Sequence, residues 1–172
     1  MIDNYTKKCK STVGGLKKIY LIPFVEYTRS QIKTLEMNLT EFPSSYIYEF
    51  DCVGNYTQSS SIDGGAVYFE QNISLQLNEV YSILDINEFV GSEFRVIVET
   101  NNNDLLMFGA YNGLECEASN NSGTDKAEFN GFSLEFKGKE VKAALLIDDL
   151  DLFNLYKFNK EEVLNSNFNF NI

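Results

Sequence analysis

The sequence predicts a mainly β fold, a single antiparallel β-sandwich with one short helix and extended loops or arms. Three observations carry this. The apolar set is rich in Phe, Tyr, Ile and Val, which suit a half-buried pleated surface. Several segments alternate apolar and polar residues with period two. Turn-forming Gly, Asn and Asp separate those segments. At 172 residues and 44% hydrophobic content the chain has enough apolar surface for one domain with a sizeable core. The division read from the sequence is a basic N-terminal arm (1–15), a β-sandwich domain (16–158) and a C-terminal tail or strand (159–172).

Met1 to Gly15 is mostly polar and basic and ends in Gly14-Gly15, the pattern of an extended arm and a turn. A strand begins at Leu16, with Ile19 and Leu21 toward one layer and Tyr20 and Ile22 toward the other, so both faces need cover. Tyr27 to Ser45 has weak periodicity and reads as a long loop with some strand. Tyr46 to Asp51 is a strand, and the Ser-rich stretch from Gly54 to Gly65 reads as a turn or loop. Ala66 to Leu77 alternates Val67, Phe69, Gln71, Ile73, Leu75 and Leu77 with Tyr68, Glu70, Asn72, Ser74 and Gln76, a long strand with one wet face. Asn78 caps an expected helix carrying Val80, Tyr81, Leu84 and Phe89.

Glu93 to Phe108 is the clearest hairpin, turning at Asn101 to Asp104 and placing Phe94, Val96 and Val98 opposite Arg95, Ile97 and Glu99. Ala127 to Phe136 and Val141 to Ile147 form an expected second hairpin turning at Gly138-Lys139. From Leu152 to Ile172 aromatics alternate with Asn, as in Phe168, Phe170 and Ile172, which predicts a terminal strand or pairing with a neighbour.

No stretch approaches the roughly 20 apolar residues of a membrane helix, so a soluble protein with no membrane partner is expected. The Ile19–Val25 run is too short for a signal-peptide core. Cys9, Cys52 and Cys116 are widely spaced and odd in number, which predicts reduced, structural thiols. Nineteen asparagines make the Asn-x-Ser/Thr triplets at Asn4, Asn38, Asn55, Asn72 and Asn120 chance matches.

The chain has no histidine, which removes His-dependent triads, Cys-His dyads and zinc-hydrolase helices. No phosphate-binding Gly-rich loop with its lysine is present, and no cofactor is expected. Asp148, Asp149 and Asp151 are the densest carboxylates, a weak candidate for Ca²⁺ or Mg²⁺ without an EF-hand pattern. Glu115 and Glu117 imitate a glycosidase pair, yet they share one strand face and flank no cleft. An enzyme is not expected.

Charge is unevenly placed. Residues 1–33 contain seven basic and two acidic side chains, net +5, and since the whole chain carries −11 the remainder carries −16. A basic arm on an acidic body suits docking onto the next copy, which makes Lys7, Lys8, Lys10, Lys17 and Lys18 candidate interface residues. Ser59, Ser60 and Ser61, in a stretch with little apolar surface to order itself, join them.

Two stretches carry a family resemblance: Cys9-x4-Gly14-Gly15-Leu16-Lys17-Lys18-Ile19-Tyr20-Leu21, and Phe108-Gly109-x3-Gly113-Leu114-Glu115 followed by Ser122-Gly123 and Asn130-Gly131-Phe132-Ser133-Leu134. Together they resemble structural proteins of phages infecting gut Bacteroidales, including crAss-like phages, which are tail-tube-like subunits or ring proteins stacked below the portal. The resemblance implies a β-sandwich whose loops, hairpin and arm join copies into a ring or tube of the virion tail or neck, assembled in the host cytoplasm. Its implied partners are further copies, neighbouring tail or portal-proximal proteins, and genomic DNA passing through the lumen. A different class, a carbohydrate-binding or surface-adhesin module, would instead use Tyr46, Tyr48, Tyr56 and Tyr68 as an aromatic platform.

Overall fold

Strand Leu16–Pro23 (β1) is apolar on both faces and is covered on both, as its sequence requires. It belongs to a computed structural model that describes residues 13–36, 45–77, 89–121, 131–147, 150 and 155–157. The described elements are β1, one helix (α1, Arg29–Glu36), then β2 (Ser45–Asp51), β3 (Val53–Asp63), β4 (Ala66–Leu77), β5 (Glu93–Thr100), β6 (Leu105–Phe108), β7 (Leu114–Asn121), β8 (Gly131–Glu140), β9 (Leu145–Ile147) and β10 (Leu155–Lys157). The fold is mainly antiparallel β. Only β10 on β2 runs parallel among the described pairings.

All ten strands join in one sheet of order β10-β2-β1-β5-β7-β8-β4-β3, with β6 and β9 branching from β5. The two layers expected of a sandwich are therefore parts of a single sheet that rolls on itself. Two contacts show the roll. Tyr56 on β3 packs on Phe108 of β6 at 5.0 Å between ring centroids, although these strands are not neighbours in the sheet. Strands β2 and β3 are consecutive in the chain, joined through Cys52, whose N–H donates to the Lys17 carbonyl of β1 at 3.3 Å.

The main core fills the inside of the roll. Ile19 and Leu21, Ile73 and Leu75, Phe94, Val96 and Val98, Leu114 and Cys116, and Leu134 and Phe136 come from β1, β4, β5, β7 and β8 and are essentially solvent-free. Period-two alternation sends the other residues of β1 and β5 outward, where Tyr20, Ile22, Ile97, Met107 and Ile147 form a second cluster. The hairpin β5–β6 forms where the sequence places it, with Asn103 at φ 61° in its turn.

Three expectations are corrected. The stretch Gly54–Gly65 is strand β3 through Asp63, because β4 supplies an unbroken antiparallel ladder from Val53↔Gln76 to Asp63↔Ala66; only Gly64 and Gly65, both at positive φ, turn. Gly138-Lys139 is not a turn. Strand β8 runs through it to Glu140 against β4, and β9 pairs with β6 instead of β8. Glycine is required at 138 because a Cβ there would lie 2.7 Å from Leu114 Cδ2 and 2.8 Å from the Gly113 carbonyl.

The third correction concerns the stretch read as a loop with some strand, which contains α1. A capping box starts this helix: Thr28 N–H donates to Gln31 Oε1 at 2.8 Å, and Gln31 N–H donates to Thr28 Oγ1 at 3.5 Å. Of the helix expected after Asn78, residues 78–88 lie outside the described residues, while Phe89 sits in a turn with its ring in the main core.

Candidate assembly surface

The hairpin β3–β4 outruns the rest of the sheet. Strand β8 pairs with β4 only as far as Phe69↔Glu140, so Ala66 to Tyr68 pair with β3 alone. The inward parity of β4, set by Ile73 and Leu75, continues past the body to Val67 and its cross-strand partner Ile62. With no opposite layer left to cover them, Ile62 is 76% and Val67 50% exposed. Ser59 and Ser61 lie on the outward face and Ser60 on the inward one, all three in the outer half of β3.

The edge of β3 away from β4 carries no strand among the described residues. From Val53 to Ile62 this edge holds no Lys, Arg, Asp, Glu or Pro, and its register has no bulge. Those are the devices that ordinarily keep an edge strand from pairing with another chain.

The candidate lysines divide. Lys7, Lys8 and Lys10 lie outside the described residues. Lys17 and Lys18 stand on β1 and meet carboxylates of their own sheet: Lys17 Nζ is 2.6 Å from Glu99 and Lys18 Nζ 2.7 Å from Glu49, with Asp51 at 3.8 Å. The bond to Glu49 raises the Lys18 pKa above the usual lysine value. The positive charge of the first segment is thus partly answered within the same copy.

An open groove of about 510 Å³ crosses the outward face of β3, β4 and β8, lined by Thr57, Ser59, Glu70, Asn72, Lys137 and Lys139. Register produces it: Thr57, Asn72 and Lys137 form one cross-strand row, and Ser59, Glu70 and Lys139 the next. Lys137 bridges Glu117 at 2.8 Å and Glu135, while Lys139 reaches Glu70 at 3.6 Å. The buried Oδ1 of Asn72 has no hydrogen-bond partner.

Glu115 and Glu117 share one exposed face of β7, beside Lys137, rather than opposing each other across a cleft. No group of three or more His, Cys, Asp or Glu is placed to hold a metal among the described residues. Asp148, Asp149 and Asp151 lie outside them. The tyrosines do not form one platform. Tyr48 packs edge-on against Phe89 at 4.9 Å and Tyr56 tilts against Phe108, both toward the core, whereas Tyr68 falls on the opposite face; the Tyr46 side chain is outside the described set.

A buried polar centre, missed from the sequence, supports the root of the hairpin. Gln71 Oε1 accepts the Gly109 N–H at 2.9 Å, and Gln71 Nε2 donates to Gln58 Oε1 at 3.1 Å, which also accepts the Ala144 N–H at 2.7 Å. Glu140 accepts the N–H groups of Tyr111 and Asn112. Burial pushes the Glu140 carboxyl up, against the opposing pull of those N–H groups and of Arg95.

Arg95 donates from Nε to the Ala110 carbonyl at 3.0 Å, while its Nη1 and Nη2 find no acceptor. Its guanidinium lies between the rings of Phe24 and Tyr27, and burial lowers its pKa. The signal in the sequence was Arg95 beside Ile97 on a face that also had to be covered.

Cys52 and Cys116 are buried and unbonded, and burial raises their thiols to about 11 and about 12. Among the described residues no helix is long and apolar enough to cross a membrane. Comparison with known proteins finds no matching family model, no matching curated protein and no matching solved structure.

Proposed function

We propose that this chain is a non-enzymatic structural subunit of a phage virion that builds a homo-oligomeric ring or tube of the tail or neck, through which genomic DNA passes. The observation that carries the reading is the projecting β3–β4 hairpin, which combines an exposed apolar pair, Ile62 and Val67, with an uncharged and unbulged open edge. A chain that stays monomeric has no use for such a surface, and its exposure carries an aggregation hazard. The sequence resemblance to ring and tail-tube-like proteins supplies the virion context. A net charge of −11 suits a lumen that repels DNA phosphates so that the genome slides without sticking.

A second reading, a carbohydrate-binding module, draws on the polar groove of Thr57, Ser59, Glu70, Asn72, Lys137 and Lys139. Hydroxyl, amide, carboxylate and ammonium groups side by side suit a polyhydroxyl ligand, although no stacking ring lines the groove. Sedimentation velocity with negative-stain imaging separates the two readings. Large closed rings support the structural subunit. A monomer at every concentration that binds defined oligosaccharides on an array would replace it.

A further inference from the structure

We infer that the open edge of β3 pairs antiparallel with the same edge of a second copy, around a two-fold axis at Ser59. This deepens the oligomeric reading above and names one contact between copies. The occupant is β3 itself, which a single chain carries once, so the pairing requires another copy. Backbone phase, side-chain placement and charge in the run from Tyr56 to Ile62 each fit this strand to its symmetry mate.

Backbone phase comes first. Asp63 and Ala66 flank the two-residue turn of Gly64 and Gly65, both at positive φ, and in such a hairpin the flanking pair exchanges backbone hydrogen bonds. Counting back by twos, Ser61, Ser59 and Thr57 also direct their N–H and C=O groups to β4. The alternate residues Tyr56, Gln58, Ser60 and Ile62 therefore direct theirs to the free side. A two-fold pairing must set these residues opposite one another, which leaves only a few registers. The outer end of β3 is accessible for it, because β8 stops pairing with β4 at Phe69, the partner of Ser60.

Side chains select among those registers. With the axis at Ser59, Tyr56 meets Ile62 of the second copy and Gln58 meets Ser60, each twice by symmetry. The exposed apolar side chains of the inward face, Tyr56 at 39% and Ile62 at 76%, then cover each other. An axis at Gln58 sets Tyr56 opposite Ser60 and Ile62 opposite Gly54, and an axis at Ser60 sets Ile62 opposite Gln58. Either one leaves Ile62 without an apolar partner. On the outward face the favoured register sets Ser59 on Ser59 and Thr57 on Ser61, pairs that can share hydroxyl hydrogen bonds. No residue from Tyr56 to Ile62 is charged, so no like charges meet. The contact is isologous and closes at two copies, which removes the open edge without leaving a template for fibres. Ring closure then takes a second, different contact.

The test is register-specific cross-linking of the full chain. In a C9S background, S59C, T57C and S61C each place a thiol on the outward face of β3, and oxidised glutathione serves as oxidant. At the axis the two copies of position 59 form a directly opposed, non-hydrogen-bonded pair within reach of a disulfide. Position 57 instead faces position 61 and lies about 13 Å along the strand from its own mate. S59C should therefore form covalent dimers at least about tenfold faster than T57C or S61C alone, and a mixture of T57C with S61C should form the mixed dimer. Adding I62D should abolish the fast cross-link of S59C while leaving the circular-dichroism spectrum unchanged. Equal rates for the three single thiols overturn the inference. No covalent dimer from S59C overturns it too, whether the edge is bare or held by another segment of the same chain. Rings whose S59C form does not cross-link would sink this contact and leave the oligomeric reading standing. Fast S59C dimers from a protein that never builds rings would support the contact and sink the ring.

Discussion

The guanidinium of Arg95 lies 3.5 Å from the ring centroid of Tyr27, inside a pocket where Arg95 is only 1% exposed and two of its nitrogens have no acceptor. Its charge is held by ring faces, one backbone carbonyl and the nearby Glu140 carboxyl. Removing the ring leaves a buried cation with less compensation, whereas removing the cation alone takes from the buried Glu140 carboxyl the charge that opposes its burial. We therefore expect Y27A to cost about 3 kcal/mol. Removing both charges together, R95M/E140Q should stay within about 1 kcal/mol of the parent, since a buried charge pair is often replaced at little cost by uncharged side chains of similar size. Urea unfolding of Y27A and of R95M/E140Q checks this, and a loss in R95M/E140Q as large as that of Y27A would contradict it.

Glu140 predicts a pH dependence with a definite sign. Burial raises its folded pKa above the unfolded value near 4.3, so between those two values the folded state binds more protons than the unfolded one. Stability contributed by this group is then present below the unfolded value and lost as pH rises through the folded one. Relative to the parent, E140Q should gain stability as pH climbs from about 4 toward 7. Unfolding midpoints of the two proteins that run parallel across this range would show that the backbone N–H groups of Tyr111 and Asn112 outweigh burial.

The thiols of Cys52 and Cys116, raised to about 11 and about 12 and shielded from solvent, should be inert in the folded protein at pH 8. In a C9S background, labelling with a disulfide reagent should be negligible without denaturant and reach two thiols per chain in urea. Rapid native labelling would place at least one of them outside the core.

Replacing Ser61–Tyr68 by Asn-Gly keeps Ser60 opposite Phe69 and closes the hairpin with a two-residue turn, while removing Ile62 and Val67. The expected product is folded, with an unchanged circular-dichroism spectrum, and defective in assembly by sedimentation velocity. Deleting Ser59 to Ser61 alone is a different experiment, because losing an odd number of residues would turn Ile62 onto the opposite face. Normal rings from the trimmed hairpin would remove the tip from the interface.

Periodicity by itself determined the mainly β class, the two-faced burial of Leu16–Pro23, the β5–β6 hairpin and the inward set Phe94, Val96, Val98, Leu134 and Phe136, since each depends only on which residues alternate along a strand. The capping box at Thr28 and Gln31 was also written in the sequence, hidden by a helix of only eight residues with few apolar side chains. Other features were decided by tertiary structure. The Ser-rich run is a strand only because β4 pairs with it along its whole length, and serine itself has little preference for that state. Gly138 lies within a strand because Leu114 and the Gly113 carbonyl leave no room for a side chain, a close approach that no local pattern announces. The rolling of one sheet brings Tyr56 onto Phe108, Gln71 under Gly109 and Glu140 beneath Tyr111 and Asn112. The exposure of Ile62 and Val67 follows from β8 ending its pairing at Phe69, because a period-two pattern shows which face a residue shares but not where the opposite layer stops.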